Sequence, residues 1–279
     1  MAPTLLRHPT TSGTAAGPPL LLVHGLGGDR HSWTPVIEPL RERADVLVAE
    51  LPGFGTAPPL SANVVPTPLA LARSLTHALD DQGVPLVHAV GVSLGGWVAL
   101  ELGGLGRAAS VTALAPAGFW SGALGGSTGT ARRLARRADR ALPALLASPG
   151  VRRRVLGGVL GGPGAFDRAD AVAVIRGYAR ATDFGRTDAA MRASAVDRDA
   201  VGALAARIPV ELVWGARDRL VRAPRTPLAP AIGQRTLPDA GHLPMFDDPA
   251  GTLAAIDDAL RRAADGSEDR ESAVTEGAR

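Results

Sequence analysis

The apolar positions of this chain follow two rhythms. Leu20-Leu21-Leu22-Val23 is a continuous apolar run between Pro18-Pro19 and the glycine-rich His24-Gly25-Leu26-Gly27-Gly28. Similar short runs lie at 45–50, 86–90, 109–115 and 210–214, each closed by Gly or Pro. Runs of this length bounded by breakers predict buried strands. Shorter strands are predicted at Thr4–His8 and at 234–237. Between the runs, apolar residues recur at helical spacing. Trp33, Val36, Ile37 and Leu40 mark a helix over 33–43. Amphipathic helices are predicted over 67–82, ended by the Gly83-Val84-Pro85 turn, and over 249–264. Strands alternating with helices predict an α/β fold whose sheet is mostly parallel, doubly wound and covered on both faces. From 119 to 207 the strands disappear and helical patterns rich in Ala, Leu and Arg replace them, so this segment reads as a helical insertion. Residues 265–279 are polar and aperiodic and are expected to be a disordered tail. The core is thereby assigned to 1–118 and 208–264.

Within this pattern, Gly91-Val92-Ser93-Leu94-Gly95-Gly96 follows a strand and opens a helix. Gly-x-Ser-x-Gly in that setting is a sharp strand-to-helix turn with the serine at its apex. Small flanking residues are needed because strand and helix approach closely. Ligands of parallel sheets bind beyond the carboxyl ends of the strands. Ser93, Asp218 and His242 each follow a predicted strand at that end. Serine attacks only when a base takes its proton. His242 is the candidate base, and Asp218 is the candidate for holding its imidazole, although the same loop position also suits a helix cap. A developing oxyanion needs donors already in place. The amide of Leu94, at a helix start, and that of Leu26, in the glycine loop, are the candidates.

Composition narrows the picture. The chain has 279 residues, enough for an α/β domain with an insertion, and its hydrophobic content of 46% supports a sizeable core. It has no cysteine, which excludes disulfides, thiolate metal sites and a cysteine nucleophile. All 30 of its Lys+Arg residues are arginine, which drives the pI to about 10.6 although the net charge is only +3. The high pI is therefore no nucleic-acid signature. Segment 119–207 carries fifteen arginines, seven aspartates and no glutamate, a surplus of eight positive charges, so the remainder of the chain is five negative. These arginines read first as a solvated helix face. Attraction of an acidic substrate or carrier, or of a membrane surface, are further readings. Nucleic acid ranks last, because no aromatics are interleaved. No apolar run is long enough to span a membrane, and residues 1–17 lack the apolar core of a signal peptide, so a cytoplasmic protein without stable membrane insertion is expected. No His/Asp/Glu spacing suits a metal, and the glycine loop lacks both the G-x-G-x-x-G spacing and a Walker lysine, so no metal or other cofactor is expected. The sequence does not set the oligomeric state.

Five segments in order carry a resemblance: His24-Gly25-Leu26-Gly27-Gly28, Leu51-Pro52-Gly53-Phe54-Gly55, the turn around Ser93, Trp214-Gly215-Ala216-Arg217-Asp218, and Gly241-His242-Leu243-Pro244-Met245-Phe246. Over about residues 18–262 the chain resembles capped enzymes of the α/β-hydrolase fold. The resemblance implies Ser93 as nucleophile, Asp218 as acid, His242 as base, Leu26 and Leu94 as oxyanion donors, and 119–207 as a helical cap over the site. A serine at the elbow, rather than aspartate, argues against dehalogenase and epoxide hydrolase chemistry. It favours a small-molecule acyl substrate such as a carboxylester, lactone or thioester. Carbon–carbon bond hydrolases and cofactor-free haloperoxidases of the same fold also use the serine, and a non-catalytic ligand-binding protein is the reading from another class. The sequence departs from its relatives at Glu50, where aspartate is commoner, and at Val92, where a polar residue is commoner. Trp33, Phe119, Trp120 and Phe246 are candidates for the substrate pocket. His24 reads as a structural histidine of the glycine loop, and His8, His31, His77 and His88 as surface or packing residues.

Overall fold

Strand β2 (Leu20–Val23) is buried along its whole length, as a continuous apolar run requires. Its side chains alternate: Leu21 and Val23 enter one core, Leu20 and Leu22 the other. A computed structural model describes residues 3–13, 17–120, 129–162 and 166–277. Seven strands form one sheet: β1 (Thr4–His8), β2, β3 (Val46–Glu50), β4 (Val87–Val92), β5 (Ala108–Leu114), β6 (Val210–Gly215) and β7 (Gly233–Leu237). Their order is β1-β3-β2-β4-β5-β6-β7. Only β1 pairs antiparallel, against β3, and every other pairing is parallel. The predicted doubly wound α/β sheet is therefore present.

Helices cover both faces. The first core packs α2 (Pro68–Asp81) and α3 (Leu94–Gly104) on the sheet through Leu71, Leu75, Trp97 and Val98. The second packs α1 (Thr34–Arg41) and α11 (Pro249–Gly277) through Val36, Leu40, Ala255 and Ile256. α2 begins where Thr67 accepts a hydrogen bond from the Ala70 amide, and Pro68 stands at the first helical position, where its missing N–H costs nothing.

Between β5 and β6 the chain is helical: α4 (Gly129–Arg137), α5 (Leu142–Leu145), α6 (Pro149–Leu156), α7 (Arg168–Arg180), α8 (Phe184–Arg192) and α9 (Arg198–Ala205). Asp167 and Asp197 cap α7 and α9. The insertion does not stand apart. Phe184, Met191 and Leu204 join the first core, and Leu156, Phe166 and Ile175 join the second.

α11 runs through the segment from 265 that the sequence reads as a tail, to Gly277. Hydrophobic periodicity reports a buried face, not helicity. Residues 265–277 are rich in Glu, Asp, Arg and Ala and contain no proline, so a polar helix propagates from the packed one.

Candidate active site

The parallel sheet puts the carboxyl ends of β4, β6 and β7 at one edge. Ser93 follows β4 directly and precedes α3. Its backbone has φ +56° and ψ −118°, which a side chain rarely tolerates and which costs about 1–3 kcal/mol. The surrounding backbone holds it there. The Ser93 N–H donates to the Leu114 carbonyl at 2.8 Å, and the Ser93 carbonyl accepts from the amides of Trp97 at 3.2 Å and Ala117 at 3.0 Å. The flanking glycines are required by close approach: a Cβ on Gly91 would strike the Gly95 carbonyl, and one on Gly95 would strike the carbonyls of Val23 and His24.

Asp218 and His242 come together. The His242 ring Nδ1 lies 2.8 Å from Asp218 Oδ2, and both residues are buried. A carboxylate offers only lone pairs, so Nδ1 carries the hydrogen and the neutral ring keeps its lone pair on Nε2. Asp218 Oδ1 accepts from the amides of Leu220 at 2.7 Å and Val221 at 3.0 Å. One oxygen thus closes the residue's own turn and the other meets the imidazole; among the described residues no helix begins there for it to cap. The His242 amide donates to the Val159 carbonyl at 2.8 Å, which fastens this loop to the insertion. Among the described residues, no hydrogen bond joins Ser93 Oγ to His242.

The glycine loop runs directly against the serine. A Cβ on Gly25 would lie 3.1 Å from Ser93 Cβ and 3.7 Å from its Oγ. Leu26 follows in this loop and Leu94 opens α3. Neither amide donates to a protein acceptor among the described residues. His24 sits beneath the loop, buried. Its Nε2 accepts from the Leu51 amide at 3.0 Å, so its Nδ1 donates to the Gly25 carbonyl at 2.8 Å. Burial holds its pKa below the ordinary value, against the opposing pull of the Gly25 carbonyl, Asp29 and Glu50, so the ring is neutral and its tautomer fixed.

The aromatic candidates occupy packing positions. Trp33 is fully buried in the second core. Phe119 meets Trp214 edge-on at 5.8 Å, and Trp120 meets Trp97 at 6.0 Å. Phe246 stacks on Phe166 at 3.9 Å, joining the insertion to the segment behind His242. A cavity of about 520 Å³ opens between the insertion and the sheet edge, lined in part by Asp29, Arg30, Glu50, Thr56, Arg176 and Arg180. None of the four aromatics, and none of Ser93, Asp218 and His242, is in its wall.

Two residues that the motifs did not single out organise this region. Glu50, the last residue of β3, is buried. It accepts from the Thr56 amide at 2.7 Å, from the Thr56 hydroxyl at 2.6 Å and from Arg30 at 3.2 Å. Burial pushes its pKa up, but the Thr56 bonds and the charges of Arg30 and His24 outweigh it and hold the carboxyl below its ordinary value. Asp247 accepts from the amides of Gly241 at 2.8 Å, Gly161 at 2.8 Å and Gly162 at 3.3 Å, tying the His242 loop to the insertion. Its only sequence signal is its place shortly after the Gly-His-Leu-Pro segment. Among the described residues, no three His, Asp or Glu side chains converge as metal ligands, and no helix is long and apolar enough to cross a membrane.

The chain is 29% identical over 234 residues to a dihydrolipoyllysine-residue acetyltransferase component of an acetoin cleaving system from Cupriavidus necator, a match covering 82% of this chain and 59% of that protein. It therefore spans about three fifths of that relative's length. Among solved structures, an esterase from Thermogutta terrifontis superposes with a TM-score of 0.67 at 24% identity, covering 94% of both chains. The enol-lactonase of Burkholderia xenovorans superposes with a TM-score of 0.64 at 21% identity, covering 91% of this chain and 95% of that one. At these identities the superpositions speak for the fold. The alpha/beta hydrolase family profile matches residues 20–256, and the chain belongs to that family.

Proposed function

We propose that the protein is a serine hydrolase that cleaves an ester or related acyl bond of a small or medium-sized molecule through an acyl-enzyme. The observation that carries this reading is the buried His242–Asp218 pair at the sheet edge that also bears the strained Ser93. Ser93 Oγ attacks the substrate carbonyl carbon as its proton passes to His242 Nε2. The carbonyl oxygen becomes an oxyanion and takes the amides of Leu26 and Leu94. His242 returns the proton to the leaving oxygen or sulfur, that bond breaks, and the acyl group remains on Ser93. Water then attacks, giving its proton to His242, and the acid is released as the proton returns to Ser93. Asp218 fixes the imidazole and stabilises its transient charge without itself being protonated. Helices α4 to α9 act as the cap that shapes substrate choice. The acetyltransferase relative is, by its name, an acyl-transfer protein, which supports an acyl group as the serine's partner.

A panel of chromogenic esters of graded acyl length tests the proposal. Wild type should turn over part of the panel, and Ser93→Ala should lose roughly 10⁴-fold or more in kcat while still folding. No turnover of any ester, lactone or thioester by folded wild type would overturn it.

A further inference from the structure

The outer side of the insertion has a composition that the hydrolytic reading leaves unused. Helices α4, α5 and α6 all pack against α7, burying Leu142, Leu146 and Leu156. Their other sides are exposed, and there four large apolar side chains reach solvent: Leu134 at 67%, Leu145 at 50%, Val151 at 37% and Val155 at 56%. These are half of the eight exposed large apolar residues among those described, gathered within 22 positions of the chain. Interleaved with them are Arg136, Arg137, Arg140, Arg153 and Arg154, with no acidic partner among the described residues. The only carboxylate between 129 and 156 is Asp139, and it is already held by Arg176 at 2.9 Å and Arg180 at 2.7 Å. Arg136, Arg137, Arg140, Arg153 and Arg154 therefore face no free counter-charge from their own segment.

We infer that this face docks reversibly on an anionic lipid surface. Single exposed apolar side chains are ordinary on a solvated surface, but here half of those among the described residues gather with the arginines on three neighbouring helices. Here isolated leucines and valines alternate with arginines, the composition of an interfacial helix that inserts shallow apolar tips while its cations meet lipid phosphates. Arginine suits this because its stem packs along apolar surface while its guanidinium reaches outward to the headgroups. An acidic protein partner would use the charge but leave the apolar tips without a role. Nucleic acid would call for stacking aromatics, and 129–156 has none. The face is also coupled to the candidate site, since Val159, just beyond α6, accepts the His242 amide. Docking would turn the insertion, and with it the site, towards lipid-borne acyl chains. That last step rests on the proposed hydrolase activity, whereas the docking itself does not.

The test is flotation of the full chain with phosphatidylcholine vesicles and with vesicles that also contain phosphatidylglycerol. Wild type and Ser93→Ala should float equally with the anionic vesicles and stay behind with the neutral ones, and added salt should weaken the binding. Two exposed-surface double variants, Leu134→Asp/Val155→Asp and Arg153→Glu/Arg154→Glu, should each lose about tenfold or more in vesicle affinity while keeping wild-type melting temperature and turnover of a soluble ester. No flotation with anionic vesicles would overturn the inference. So would binding that survives Leu134→Asp/Val155→Asp, or equal capture by soluble polyglutamate, because charge alone would then explain it.

Discussion

Ser93 occupies a backbone conformation that only its surroundings make tolerable. The carbonyls of Val23, His24 and Gly95 leave no room for a methyl group at Gly91 or Gly95. Gly95→Ala should therefore destabilise the protein by about 1–3 kcal/mol and lower ester turnover together with stability, measurable by urea unfolding and kinetics on the same sample. Asp218→Asn tests a different property. The amide cannot hold the imidazole in the tautomer that leaves Nε2 free, so kcat should fall roughly 10²–10⁴-fold with little change in KM. An unchanged kcat would show that Asp218 serves only its local turn. Asp247→Ala removes the carboxylate that accepts from three backbone amides and ties the His242 loop to the insertion, and a loss of about 2–3 kcal/mol in stability with reduced kcat is expected. Ser93 and His242 were legible in the sequence because their motifs are local and each follows a strand. Glu50 and Asp247 were not, because their partners are brought to them by loops. Glu50 in particular stood out only as a departure from its relatives, whereas Thr56 and Arg30 converge on it in space.

At the scale of elements, the strands were readable because a sheet buried on both faces demands continuous apolar runs. The long reach of α11 was not, because the sequence from 265 onward carries no apolar period. The sequence marks Trp33, Phe119, Trp120 and Phe246 as pocket candidates but does not distinguish a pocket wall from a core; in the fold three are buried and Trp120 is half-buried. His88 shows how one element records pH. It lies on β4, and its Nδ1 meets the hydroxyl of Ser110 on β5 at 2.9 Å. Burial lowers its pKa from 6.5 to about 4. The fold thus favours the neutral ring, and the unfolded chain binds more protons between those values. The stabilisation from this group is complete above pH 6.5 and is lost as pH falls towards about 4. Thermal melts of His88→Gln should show a shallower loss of stability than wild type across that interval. Parallel curves would contradict the assignment.

For the molecule as a whole, a positive insertion rests on a negative core, and the two share the edge of the sheet where Ser93, Asp218 and His242 lie. The sequence showed the charge division and the shared sheet edge. It did not show that the insertion is fastened to the base loop through Val159, Asp247 and the Phe166–Phe246 stack. In the proposed function, the insertion that would shape substrate choice and the loop bearing His242 are tied together by these contacts. Within the α/β core, Glu50 holds Thr56 and Arg30 together. Its carboxyl is held below its ordinary pKa of 4.5, so its contribution is present above that value and fades as pH falls through the lower folded-state pKa. Glu50→Gln should cost about 1–3 kcal/mol at neutral pH, and the difference from wild type should shrink in acid.

The proposed function stands or falls with Ser93 as a nucleophile activated by the His242–Asp218 pair. Intact-mass analysis after exposure to a fluorophosphonate, followed by peptide mapping, tests it most directly. A single adduct is expected on the peptide carrying Ser93, none on Ser93→Ala, and strongly slowed labelling of His242→Ala. Folded wild type that remains unlabelled, or that carries its adduct on another residue, would contradict it.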